Sequence, residues 1–81
     1  MQKLIFILED EEDICFLLKH NLEKEGFVVK TFMEPESFLQ ALKKENFSVL
    51  LLDLMLPRMS GLEILKLIKS DLEKKHIPII V

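Results

Sequence analysis

A single cysteine, Cys15, stands in this 81-residue chain, so no internal disulfide framework holds it together. Its neighbours Ile14, Phe16 and Leu17 mark it as a small core side chain rather than a reactive thiol. Positive charge is not in excess either. The net charge is −3 and the lysines are scattered, which excludes a basic field for nucleic acid and argues that this segment does not itself bind DNA. No run reaches the roughly 20 apolar residues of a spanning helix. The apolar stretch after Met1-Gln2-Lys3 is too short for a signal peptide, and acids follow it at once. The expectation is a cytoplasmic protein without a membrane partner. A Gly-rich nucleotide loop, a Cys/His zinc cluster and a Ser/His/Asp set are all missing. His20 and His76 fall on an exposed helix side and in a turn, poor places for a phosphocarrier.

About half of the residues are hydrophobic, at 49%, enough for one small domain with a sheet covered on both faces. Lys3 to Leu8 reads as a buried strand. Asp13 is placed to cap a helix with the stripe Ile14, Leu17, Leu18 and Leu22, which Gly26 ends. Phe27 to Phe32 reads as a second strand. Pro35 opens a second helix, with Phe38, Leu39 and Leu42 inward and Lys43-Lys44 at its C-terminus. Val49 to Leu52 is a third strand whose alternation needs cover on both sides. Beyond a Pro57 to Gly61 loop, Leu62, Leu65, Ile68 and Leu72, widened by Ile64 and Leu67, predict a third helix. Lys74-Lys75-His76 reads as a turn, and Ile77 to Val81 as a fourth strand.

Strands and helices joined this tightly imply βαβ units and a parallel sheet. Two apolar strands run into acids: Leu8 into Glu9-Asp10-Glu11-Glu12, and Leu52 into Asp53. If the first and third strands are neighbours, those ends flank the topological switch point, where open α/β sheets bind ligands. The order 2-1-3-4 brings Asp10 and Asp53 together. Held close they repel, and a hard divalent cation would offset this. Glu9 to Glu12 would equally suit a helix N-terminus, where acids are favourable by roughly 0.3–1 kcal/mol each. Asp53 at the paired strand end shifts the reading toward a metal pocket. Pro57 and Gly61 read as turn formers, Arg58 as a solvated charge and Met59 as packing.

Taken in order, Glu9-Asp10-Glu11, Leu52-Asp53-Leu54-Met55-Leu56-Pro57, Ser60-Gly61-Leu62-Glu63 and His76-Ile77-Pro78-Ile79-Ile80 resemble the N-terminal two-thirds of a response-regulator receiver domain from two-component phosphorelays. The resemblance implies a flavodoxin-like α/β fold, with sheet order 2-1-3-4 and helices on both faces. It implies that Asp53 accepts a phosphoryl group from a sensor histidine kinase, with Mg2+ as cofactor. Asp10, Asp53 and the Met55 backbone carbonyl would then bind the metal, with Glu9 acting through water; many members carry aspartate at that position. The wording Leu54-Met55-Leu56-Pro57 resembles receivers joined to DNA-binding domains, so a transcriptional regulator with its output domain outside these residues is expected.

On this reading, residues 1–81 form one truncated receiver domain lacking the last strand and last two helices, with impaired switching. The uncovered sheet face and the fourth strand then predict a homodimer. Two other functions compete. A phosphatase or phosphotransferase with an aspartyl nucleophile expects an acid two residues after Asp53, where Met55 stands, so an enzyme is not expected. A non-phosphorylated dimerisation or structural fragment is the remaining alternative.

Overall fold

The computed structural model describes residues 3–53, 61–71 and 76–81. Its elements are β1 (Leu4–Leu8), α1 (Glu12–Lys24), β2 (Val28–Phe32), α2 (Pro35–Lys44), β3 (Val49–Leu52), α3 (Gly61–Ser70) and β4 (Ile79–Ile80). The four strands form one parallel sheet in the order β2-β1-β3-β4, the order expected from the acidic strand ends together with the family resemblance. Leu72, Lys74, Lys75 and residues 57–60 of the predicted loop lie outside the described residues.

Alternation along the strands divides the interior in two. Phe6, Leu8, Leu50 and Leu52 point to one face, where α2 and α3 cover them with Phe38, Leu42, Ile64 and Ile68. Ile5, Ile7 and Val29 point to the other face and meet Cys15, Leu18 and Leu22 of α1. Helices therefore lie on both faces. On the first face Phe6 is the hub of an aromatic cluster. It stacks on Phe47 at 4.3 Å between ring centroids and meets Phe32 edge-on at 4.9 Å, an arrangement worth about 0.5–1.5 kcal/mol per pair beyond burial.

The helix ends explain where the elements stop. The Gly26 N–H donates to the Glu23 carbonyl at 3.0 Å and the Phe27 N–H to the Leu22 carbonyl at 3.2 Å, a Schellman motif. It needs a left-handed residue, and Gly26 has φ +95°. Phe27 and Leu22 join the same apolar cluster. At its other end α1 corrects an expectation. Asp13 is not the cap; Glu11 holds that place in extended backbone, without a side-chain cap bond, and Asp13 sits in the first turn, where its charge suits the helix dipole. The predicted stripe is also rotated. Leu17 is 59% exposed and Ile14 is at the surface, whereas Cys15, Leu18 and Leu22 face the sheet.

Two further expectations shift. In α3 the inward residues are Ile64, Ile68 and Leu65, while Leu62 and Leu67 face solvent. Of the fourth strand expected over Ile77 to Val81, only Ile79 and Ile80 form a ladder, opposite Leu50 and Leu51. Pro78 has no N–H to offer and contributes only its carbonyl, which accepts from the Leu50 N–H at 3.1 Å. Among the described residues no helix is long and apolar enough to cross a membrane.

Candidate metal centre

The strand register builds the site. Leu8 pairs with Leu52 across β1 and β3, so the next step along both chains places Glu9 beside Asp53. The Asp53 N–H donates to the Leu8 carbonyl at 3.0 Å, and the Glu9 N–H donates to the Phe32 carbonyl of β2 at 3.0 Å. Three strand ends are thereby tied together just where the apolar runs finish. The carboxylates of Glu9, Asp10 and Asp53 converge there, each half-buried, with an oxygen of each within 4.8 Å of the others. A cleft of about 410 Å³ opens beside them, its apolar walls including Ile7, Leu18, Leu51 and Ile80.

Glu9 is held on several sides. Besides the Phe32 bond, its carboxylate accepts from the Glu11 backbone N–H at 3.3 Å. Its carbonyl lies 3.2 Å from the Cys15 thiol, which donates to it. Burial pushes the Glu9 carboxyl above its ordinary range. The Glu11 N–H works against that rise, while the Asp53 charge and hydrogen bonding with Asp53 and Asp10 add to it. Burial also pushes the Cys15 thiol up, followed by the charges of Glu9, Asp10 and Glu12, so this cysteine is a poor nucleophile.

The donor set fits a hard cation. Oxygens sharing one Mg2+ stand about 2.9 Å apart when adjacent and about 4.2 Å when opposed, given metal–oxygen distances near 2.0–2.1 Å. Carboxylate oxygens within 4.8 Å of one another would draw together on such an ion. Of the residues singled out in the sequence, Glu9, Asp10 and Asp53 are brought together; Met55, Arg58 and Met59 lie outside the described residues. His20 is exposed on α1 against the Phe16 ring, and His76 is exposed in a turn; neither belongs to the acidic cluster. The sequence reading missed the polar contact of Cys15. Its only signal was a position one turn into the helix that follows the acids.

Comparison with known proteins agrees with this geometry. The family model for the response regulator receiver domain matches residues 5–81. The chain is 36% identical over 81 residues to the alkaline phosphatase synthesis transcriptional regulatory protein PhoP of Bacillus subtilis, covering 100% of this chain and 33% of that protein. It is 38% identical over 77 residues to the phosphate regulon transcriptional regulatory protein PhoB of Rhizobium meliloti, covering 95% of this chain and 34% of that one. It thus spans about a third of the length of these relatives. The crystal structure of response regulator protein TrrA from Thermotoga maritima, in complex with Mg2+–BeF, superimposes with a TM-score of 0.89 at 34% identity, covering 99% of this chain and 68% of that one. With its 2-1-3-4 parallel sheet and its acids gathered at the switch point, this chain belongs to the response regulator receiver domain family.

Proposed function

We propose that this chain is the phosphoacceptor module of a two-component response regulator, with residues 1–81 acting as one receiver unit. The observation that carries the reading is the convergence of Glu9, Asp10 and Asp53 where β1 and β3 end together. An Asp53 carboxylate oxygen attacks the phosphorus of a phosphohistidine on a sensor histidine kinase. The O–P bond forms as the N–P bond breaks, and the imidazole leaves. Asp10, Asp53 and the Met55 carbonyl would hold Mg2+, with Glu9 acting through water. The bound ion supplies positive charge to the transferred phosphoryl oxygens. The strand ends hold the Asp53 backbone through its N–H bond to the Leu8 carbonyl, which limits the orientations its carboxylate must search before attack.

PhoP and PhoB are named as transcriptional regulatory proteins, which supports a DNA-binding output carried outside these residues. A catalytic role of the aspartyl-phosphatase kind is disfavoured, because Met55 stands where such chemistry wants an acid. Ile80, 57% exposed beside the cleft, favours a homodimer in which a second copy covers β4. A compact monomer by light scattering at high concentration would rule that dimer out.

Intact mass after incubation with Mg2+ and a small-molecule phosphodonor tests the central reading. A single phosphoryl adduct that Asp53→Asn abolishes is the expected result. A folded chain that takes no phosphoryl group would favour the alternative, a non-phosphorylated dimerisation fragment.

A further inference from the structure

Glu9 departs from a shorter acid by one methylene, so its carboxylate has an extra torsion to fix before it can serve a cation. Its backbone is held at both the N–H and the carbonyl. The N–H is taken by Phe32, and the carbonyl, which would otherwise sit at the open end of β1, receives the Cys15 thiol at 3.2 Å. Cys15 is 5% exposed and packs with Ile5, Ile7 and Val29, so its sulfur is fixed by the core beneath the first turn of α1. The thiol therefore ties the buried face of α1 to the peptide between Glu9 and Asp10, the two acids that precede the helix.

We propose that Cys15 is a positioning residue for the metal centre: its thiol, held by the apolar core under α1, fixes the Glu9–Asp10 peptide so that both acids point at Asp53. This rests on the metal-binding reading above. Outer-shell partners of metal ligands commonly change affinity by about 10–100-fold. A thiol is a weak donor, so the effect here falls on the order of three- to tenfold.

The test separates the bond from the packing. Cys15→Ala and Cys15→Ser both lose the sulfur and its apolar contact, but only serine keeps a donor. Mg2+ is titrated into each folded variant by calorimetry. The expected pattern is weaker Mg2+ binding in Cys15→Ala, near wild-type binding in Cys15→Ser, and a similar drop in melting temperature for both. Equal Mg2+ affinity in alanine and wild type would overturn the proposal, as would equal weakening in alanine and serine. A second readout needs no metal and no substitution. Because Cys15 is the single cysteine, the S–H stretch in the infrared belongs to it alone. A band shifted to lower frequency in the folded chain, relative to the urea-unfolded chain, is expected. A band unshifted on folding would sink the clamp whether or not Mg2+ binds, while a shifted band without Mg2+ binding would place the failure in the metal reading and overturn the positioning role with it.

Discussion

Replacing Asp53 by Asn removes one of three negative charges from a space where carboxylate oxygens lie within 4.8 Å of one another. Two unit charges at that distance repel by about 3.5 kcal/mol at an effective dielectric near 20, and by about 0.9 kcal/mol in bulk water. The three side chains are only half-buried, and Glu9 and Asp53 line a cleft, so screening pulls the net effect toward the lower figure. In metal-free buffer Asp53→Asn should therefore stabilise the fold by about 1–2 kcal/mol, near the range of a single pair in partly screened surroundings. For a domain of this size that corresponds to roughly 4–16 °C in melting temperature. With Mg2+ at a hundred times its dissociation constant, the wild type gains about 2.7 kcal/mol while the variant, short of one ligand, gains less. The two melting curves should cross: the variant is the more stable in EDTA, and the wild type recovers the lead in Mg2+. Thermal unfolding followed by circular dichroism reads both conditions. Raising monovalent salt to about 1 M, where the Debye length is near 3 Å, should shrink the EDTA difference. A variant less stable than wild type in EDTA, with Mg2+ stabilising both equally, would refute the argument that these acids form one strained cluster.

Other consequences can be checked in the same way. The Glu9 carboxyl sits above its ordinary value of 4.5, so its stabilising contribution is fully present below that value and is lost as pH rises through the raised folded value; metal-free Glu9→Gln should melt with a flatter pH dependence in that window, and an unchanged slope would remove Glu9 as its source. Phe6→Ala deletes the hub of the aromatic cluster and should cost about 3–5 kcal/mol in chemical denaturation, a large part of what a domain of this size holds; a loss under 1 kcal/mol would show that the rings repack. A Cβ at Gly26 meets no atom within 4 Å, but its φ of +95° is strained for an L-residue. Gly26→Ala should cost about 1–2 kcal/mol, and Gly26→Asn less; equal stability of all three would mean the Schellman turn gives way.

The sheet and the acidic cluster were legible because they depend on short-range arithmetic. Val49 to Leu52 and Leu4 to Leu8 are unbroken apolar runs ending in acids, and parallel neighbours that end together must bring those acids together. The face of α1 was harder to read. Ile14 to Leu18 are five consecutive apolar residues, so several stripes of helical spacing fit; of the expected stripe Leu18 and Leu22 face the sheet, while Ile14 and Leu17 face solvent. The C-terminal turn holds the missing phase. Phe27 folds back on Leu22, and counting four and seven residues back from Leu22 gives Leu18 and Cys15, the residues that face the sheet. Nothing local announces the Phe6–Phe47 stack, since it joins the middle of β1 to the segment that precedes β3. Asp13 suits a cap by residue type alone, and the helix begins two residues earlier, with Glu11 at the cap.

β1 gives Phe6 and Leu8 to one half of the interior and Ile5 and Ile7 to the other. The two halves consequently have no separate existence, since losing either strips one side of the same strand and leaves the other unsupported. Unfolding should be all-or-none, and the amides of Ile5 to Leu8 should exchange with solvent only through global opening. Glu9 follows directly on that slowest segment, so the first acid of the cluster is anchored to the last part of the molecule to come apart.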